Sequence, residues 1–452
     1  IDEERDFIDA KREIVRRCLY GVDINPLAVE LAKMSLWLDT LAKDHALSFL
    51  ATHLKMGNLI MGAAREEMES GEFTTKVGSK KNKKTLRDGQ TTLGFDDYSK
   101  TKFREFVKKY AAFETMSDDD ASAVKMKIND EMKTRGRDTD YDKLKYLLDI
   151  QISKFYGKEI PYWLDLRAKI GKKDFPDSKN KDWEEVRKIA NKEKFFHYDL
   201  EFPQVFCDLE GNQLENPGFD VILGNPPYVR QEELLDIKLY LEKSFSVYHG
   251  MCDLYVYFYE LALNLLKAEG KLCFITSNKW MKTSYGENLR KILSKMHIVK
   301  LIDFGFIQIF EGATTYPQII FISNTEKQNS HVEVCNINDS DFPKSRHTIT
   351  NSIFLQYFQQ HKFPVSIKQF GVNDWNIIPE RQLEILNKIK KISKRLEEYA
   401  GDEDYRGVVT GLNKAFVIDK TVRDSLIKED SKSKEVIKSY LDGKDVVRYW
   451  IK

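Results

Sequence analysis

Apolar and polar positions along this chain change period in blocks. Residues 1–18 are heavily charged with helical spacing and predict a surface helix. A short apolar run, Leu19 to Ile24, ends beside an acid, and a strongly helical run from Leu27 to Leu41 follows Pro26. With a short strand closing near Met56, residues 1–62 read as half of a doubly wound sheet. From 63 to 194 the rhythm breaks: a Gly/Lys/Thr-rich stretch gives way to helices of mixed charge, the pattern of an insertion. The sheet resumes over 195–330, with strands expected at 219–223, 271–276, 298–304 and 318–323 and an apolar helix at 254–266. Beyond Glu326 the pattern weakens. Residues 331–400 read as a partly helical connector with an amphipathic helix over 380–399, and 401–452 opens a further domain.

The tetrapeptide Asn225-Pro226-Pro227-Tyr228 stands where the strand at 219–224 ends. Two prolines stiffen the backbone and remove two N–H donors, which fixes a polar side chain at the strand terminus. Methyl transfer to an exocyclic amine needs such a loop. The nitrogen lone pair is delocalised, so acceptors for both amine hydrogens must draw it toward tetrahedral geometry and aim it at the methyl group. The Asn225 side-chain oxygen and the Pro226 carbonyl have that chemistry, and Tyr228 can stack on the planar group that carries the amine. A rigid strand-to-helix turn without chemistry is the other reading.

A second constellation, Gly21-Val22-Asp23-Ile24-Asn25-Pro26, has the order strand, acid, helix. An acid at this place in a nucleotide-binding sheet accepts hydrogen bonds from ribose hydroxyls. Capping of the helix begun by Pro26 is the competing role for Asp23. The aromatic run Tyr255, Tyr257, Phe258 and Tyr259 has helical spacing and reads as core packing. Asp253 reads equally as a cap of that helix and as a site residue.

Together these segments resemble the DNA adenine-N6 methyltransferases of restriction–modification systems, most closely the large type IIG-like enzymes. The resemblance also rests on Ser35-Leu36-Trp37-Leu38, Gly57-Asn58-Leu59-Ile60, Phe195-Phe196-His197-Tyr198, Asp253-Leu254-Tyr255, Thr276-Ser277-Asn278-Lys279-Trp280, Gly312-Ala313-Thr314-Thr315-Tyr316-Pro317 and Thr410-Gly411-Leu412-Asn413-Lys414. It implies an α/β fold, a class I (Rossmann-like) methyltransferase sheet with a large helical insertion and the start of a C-terminal target-recognition domain. It implies S-adenosyl-L-methionine as cofactor, with Asp23 on the ribose, Ile24 against the adenine ring, Asn58 at its amino group and Leu59 beside it. Asn225, Pro226, Pro227 and Tyr228 would be the catalytic loop, and Phe310 or Tyr316 a second aromatic beside the flipped base. Arg406, Thr410, Asn413 and Lys414 would contact double-stranded DNA, although each reads equally well as a surface polar group.

The implied reaction is methylation of adenine N6 in a specific DNA sequence. Two alternatives stand beside it: a non-catalytic DNA-recognition or defence subunit, and a protein glutamine-N5 methyltransferase. The chain departs from the family in one respect: its first glycine is Gly21, so the Gly-rich cofactor loop expected before Gly21 is not in it. The expectation is therefore a fragment, inactive alone, completed by an N-terminal segment of the same polypeptide that can include a nuclease domain, or by a complementing subunit.

Composition bounds this reading. At 452 residues the chain is long enough for two or three domains. A net charge of +1 carries no global polyanion signal, so a DNA surface must be a local patch such as that around Lys80, Lys81, Lys83 and Lys84, which reads also as a solvated loop. No apolar run has the length of a membrane span. Five scattered cysteines and eight histidines show no metal-ligand spacing, and the cysteines read as buried thiols of a reducing compartment; the resemblance implies the bacterial or archaeal cytoplasm.

Overall fold

Asn25 sets the first structural event. Its side chain accepts the Leu27 N–H at 3.0 Å and Pro26 supplies the first helical residue, so helix α2 (Pro26–Asp39) starts directly after strand β1 (Gly21–Asp23). A computed structural model describes residues 2–40, 50–63, 95–116, 120–156, 181–305, 307, 309, 310, 315–326, 330–337, 350–394, 398, 417–438, 446, 447, 450 and 451. Helix α1 (Asp2–Cys18) precedes β1, and β1 pairs in parallel with β2 (Leu54–Met56), Asp23 opposite Met56.

The chain divides into two units, Ile1–Glu380 and Arg381–Lys452. Within the first, six strands form a mixed sheet in the order β3-β4-β6-β5-β7-β8. They are β3 (Phe219–Gly224), β4 (Leu266–Ser277), β5 (Met296–Asp303), β6 (Pro317–Glu326), β7 (His331–Asn336) and β8 (Phe363–Ser366). β3 runs parallel to β4, whereas β6 is antiparallel to both β4 and β5. Gly218 makes the entry into β3 possible: its φ is +122°, and a Cβ there would stand 2.4 Å from the Leu265 carbonyl oxygen.

Where the weakening pattern after Glu326 predicted a connector, the structure differs. β7 and β8 extend the sheet, β7 parallel to β5 and β8 antiparallel to β7. β7 alternates polar and buried positions, with Val332 and Val334 fully buried and His331 and Glu333 facing outward. In the second unit, α9 (Lys420–Glu429) is capped by Asp419, and β9 (Val446–Val447) pairs with β10 (Trp450–Ile451); α8 (Glu380–Ile392) begins at the junction.

The helices of the 63–194 region are built onto the sheet domain. α3 (Phe95–Glu114), α5 (Asp140–Ser153) and α6 (Lys181–Glu193) share one continuous core with it, and α4 (Ala121–Thr134) joins α3 to α5 in the chain. Phe106 and Tyr110 of α3 are nearly fully buried, and Trp183 of α6 stacks on Tyr146 of α5 at 4.3 Å. His197, wholly buried, accepts the Ala63 N–H on Nδ1 at 3.0 Å, so Nε2 carries the proton given to Asp149 of α5 at 2.8 Å. Burial pushes the Asp149 carboxyl up, and Lys145 and His197 more than offset this, leaving it below its ordinary value.

A second polar knot is centred on Glu201. Its carboxylate accepts from Arg135 Nη1 at 2.6 Å, Tyr141 Oη at 2.6 Å and Lys55 Nζ at 3.1 Å, and its carbonyl accepts from Lys55 as well. Lys55 comes from β2, Arg135 from the end of α4 and Tyr141 from α5. Burial alone would raise the Glu201 carboxyl, but Arg135 and then Lys55 hold it far below the usual range. Its contribution to stability is therefore present above the unfolded value of about 4.3 and is lost only as pH falls through the lower folded value. We expect Glu201→Ala, which strands two buried cations, to lower stability by about 3–5 kcal/mol in chemical denaturation at pH 7. A loss below about 1 kcal/mol would show that water compensates the cations and that the knot does not hold the helices.

Candidate functional site

Two clusters of candidate residues lie at the ends of parallel strands. The first is at β1 and β2. Asp23 is exposed at the end of β1; its Oδ1 accepts the Asn25 N–H at 2.7 Å, and its carbonyl takes the Gly57 N–H at 3.0 Å. Helix capping thus falls to Asn25, and the second Asp23 carboxylate oxygen remains available. Ile24, beside it, is 52% exposed, an apolar surface fit to meet a ring. Asn58 stands two residues beyond β2, anchored by its backbone bridge to Phe195 and by its side-chain oxygen, which accepts the Ile60 N–H at 3.3 Å. Leu59 is half-buried against the main core.

The second cluster follows β3. Gly224 pairs with Phe274 on β4, and a Cβ at Gly224 would meet the Phe274 ring at 2.7 Å, so the loop leaves the sheet in close contact with its neighbour. Asn225 is exposed, Pro226 buried and Pro227 exposed. Among the described residues the Asn225 side chain makes no hydrogen bond. Downstream the loop is pinned by Leu254 N–H to the Val229 carbonyl at 2.9 Å, which places it at the head of α7 (Tyr255–Leu265). Tyr228 packs on Tyr255 and Phe310 at ring-centroid distances of 6.2 and 6.0 Å. Burial raises its phenol to about 12, and its buried hydroxyl has no hydrogen-bond partner.

Sequence reasoning placed Tyr316 beside Phe310 as an alternative second aromatic. In the structure the Tyr228 ring contact is made by Phe310, while Tyr316 accepts the Asn278 N–H on its carbonyl and has Lys279 over its ring at 5.8 Å. Asp253 does not cap α7 with its side chain. Burial raises its carboxyl above the ordinary value, against the pull of Lys279 and the Gln231 N–H. The aromatic run of α7 is core, with Tyr255, Tyr257 and Tyr259 no more than 1% exposed. Asn278 and Asp303, joined at 2.8 Å, brace the strand ends behind the loop, a pairing of residues 25 apart that no local motif discloses. Arg406, Thr410, Asn413 and Lys414 lie outside the described residues, as do Lys80, Lys81, Lys83 and Lys84. Among the described residues no helix is long and apolar enough to cross a membrane.

Against this geometry the comparisons with known proteins are decisive for the family. The model of the Eco57I restriction-modification methylase matches residues 17–310, which include both strand-end clusters. The chain belongs to this family. Its α/β architecture and mixed sheet agree with that membership. Among curated relatives, the type II methyltransferase M.BstVI of Geobacillus stearothermophilus is 31% identical over 44% of this chain and 37% of its own length. The type II restriction enzyme and methyltransferase RM.Eco57I of Escherichia coli is 36% identical over 26% of this chain and 12% of its own. The type II methyltransferase M.XhoI of Xanthomonas vasicola is 37% identical over 25% of this chain and 21% of its own. The chain thus matches well under half of the length of these relatives. Solved structures align loosely; the EcoKI M protein gives 14% identity over 36% of this chain and 32% of its own, with a TM-score of 0.23.

The unpartnered Tyr228 hydroxyl makes a direct prediction. Tyr228→Phe should change stability by less than about 1 kcal/mol, or raise it, because no hydrogen bond is lost. Tyr228→Ala should cost about 3 kcal/mol or more through the cavity it leaves among Tyr255 and Phe310. Equal losses in thermal denaturation for the two variants would place the hydroxyl in a bond and contradict the packing described.

Proposed function

We propose that this chain carries the methyl-transfer site of a DNA methyltransferase that acts on adenine N6 within a specific duplex sequence. The observation that carries the reading is Asn225: a side chain with no hydrogen bond among the described residues, fixed at a strand end by two prolines, next to the aromatic pair Tyr228 and Phe310. The names of the relatives as type II methyltransferases support the substrate class.

The residues at β1 and β2 fit S-adenosyl-L-methionine. The remaining Asp23 oxygen would accept a ribose hydroxyl, Ile24 would lie against the adenine ring, and Asn58 with Leu59 would meet its amino edge. When bound, the cofactor supplies an electrophilic methyl group on sulfur. The chain does the positioning. The Asn225 oxygen and the Pro226 carbonyl accept the two hydrogens of the target amine and turn its lone pair toward the methyl group. Tyr228 stacks on the base held outside the duplex, with Phe310 or Tyr316 as the second aromatic wall. Arg406, Thr410, Asn413 and Lys414 would serve the DNA.

We also infer that the cofactor side is completed by a further polypeptide segment. β3 carries Val221 and Leu223 at 56% and 75% exposure, and β1 and β3 each have one paired neighbour among the described strands. Parallel strands ordinarily have both faces covered, so these edges suit an added strand. Titration calorimetry with S-adenosylmethionine on this chain and on a form extended upstream should show binding by the extended form, with affinity lost in Asp23→Ala. Absence of binding by both forms would overturn the cofactor assignment. In the extended form, Asn225→Ala should lower adenine methylation by about 10²–10³-fold or more while cofactor affinity changes little. A fully active Asn225→Ala enzyme would overturn the mechanism.

A further inference from the structure

A cavity of about 360 Å³ lies on the side of β2 that faces the helical region, away from the residues assigned above: neither Asp23, Asn58 nor Asn225 lines it. One wall is α2 and β2, with Lys33 and Lys55. The other is the end of α4, the start of α5 and the end of α6, with Arg135, Lys145 and Lys194. Five cations thus converge on it against three lining carboxylates, Glu30, Glu131 and Glu201.

The pairing of these groups is uneven. Lys33 is matched by Glu30 at 2.8 Å and Lys145 by Asp149 at 2.8 Å. Lys55 and Arg135 share the carboxylate of Glu201, and Arg135 Nε, buried, has no hydrogen-bond partner among the described residues, its ion pair with Glu131 being long at 3.8 Å. Burial, and then the neighbouring Arg135, push the Lys55 ammonium down to about 7.

Lys194 is the second, independent observation. Its backbone is left-handed, φ +57°, at the end of α6, where glycine is the residue ordinarily found. Among the described residues the hydrogen-bonding neighbour of its ammonium is Met56 Sδ at 3.5 Å, a weak acceptor at an exposed position that leaves the ammonium open to a ligand at the rim.

We propose that this cavity is a binding site for a small anion of the phosphate class, held by Lys194 at the rim and by Arg135 and Lys55 at the base. Side-chain exposures of 8% for Lys55 and 13% for Arg135 put the base out of reach of a duplex backbone, which favours a small molecule over nucleic acid. The two walls belong to the β1/β2 half and to the helical region, so a bound anion bridges them.

Inorganic phosphate and pyrophosphate, titrated into the whole chain at constant ionic strength, are the probes. Both should raise the melting temperature, and calorimetry should show one site. Lys194→Gln, and Asn191→Asp, which adds a negative charge at an exposed lining position, should each weaken binding about tenfold with an unchanged circular dichroism spectrum. Asp23→Ala should leave phosphate binding intact, which separates this site from the cofactor reading. No saturable binding below 10 mM (about 3 kcal/mol of affinity at most), unaltered binding in both rim variants, or displacement of phosphate by a short DNA duplex would each overturn the proposal.

Discussion

The Glu201 carboxylate is the constraint on which the arrangement of this domain depends. It is buried, and a buried carboxylate is tolerable only when cations and hydrogen-bond donors surround it. Here the donors come from three places distant in sequence: Lys55 on β2, Arg135 after α4 and Tyr141 on α5. Satisfying one charge therefore fixes the helical region against the edge of the β1/β2 pair. The His197–Asp149 bond repeats the device a short way along the chain, tying α5 to the turn that follows Ile60 and Met61. Apolar burial among Phe106, Tyr110, Trp183 and Phe196 supplies most of the cohesion, and the two polar knots select one orientation of it.

That orientation matters because the candidate chemistry is all at strand ends. Asp23 and Asn58 stand at the ends of two hydrogen-bonded parallel strands, so their separation is set by backbone pairing and not by flexible loops. Asn225 follows β3, whose parallel register with β4 places Gly224 against Phe274. The prolines then restrict the next two φ angles, and the Val229–Leu254 bond closes the far side of the loop. A side chain exposed at such a place has little freedom to lose when it meets a ligand, which is the economy that methyl transfer to a weak nucleophile requires.

Much of this was legible in the sequence, and the reason is local. The strands expected at 219–223, 271–276, 298–304 and 318–323 are apolar runs long enough to be read directly and each overlaps an observed strand, and Pro26 marks a helix start by its own chemistry. β7 and β8 were not read as sheet because β7 is short and alternating while β8 has a proline at its second position, a pattern suited to the last strands of a sheet but weak as a signal. The Glu201 knot was invisible for a different reason. Lys55 and Glu201 are 146 positions apart, Arg135 and Glu201 66, and no periodicity links them. Charged residues in a mixed-charge segment read as solvated, and only tertiary structure shows which two are buried.

The two sides of the β1/β2 pair are covered very differently. Toward the helical region the packing is dense: Lys55 is buried on Glu201 and Phe195 bridges Asn58, while Leu54, the neighbouring residue of β2, packs the other way with Val15 and Val29. On the other side α2 exposes Leu27, Leu31, Met34 and Leu38, spaced so that they share one face, each more than half exposed, and Val29 is its one buried residue. A helix this apolar on its outer face is stable in water only at the expense of exposed hydrocarbon, so covering that face by about 300 Å² of apolar surface would contribute several kcal/mol. Ile24 and Asp23 sit at the head of this face. Cover for α2 would therefore reach the strand end at which Asp23, already held by the Asn25 and Gly57 N–H groups, presents its carboxylate.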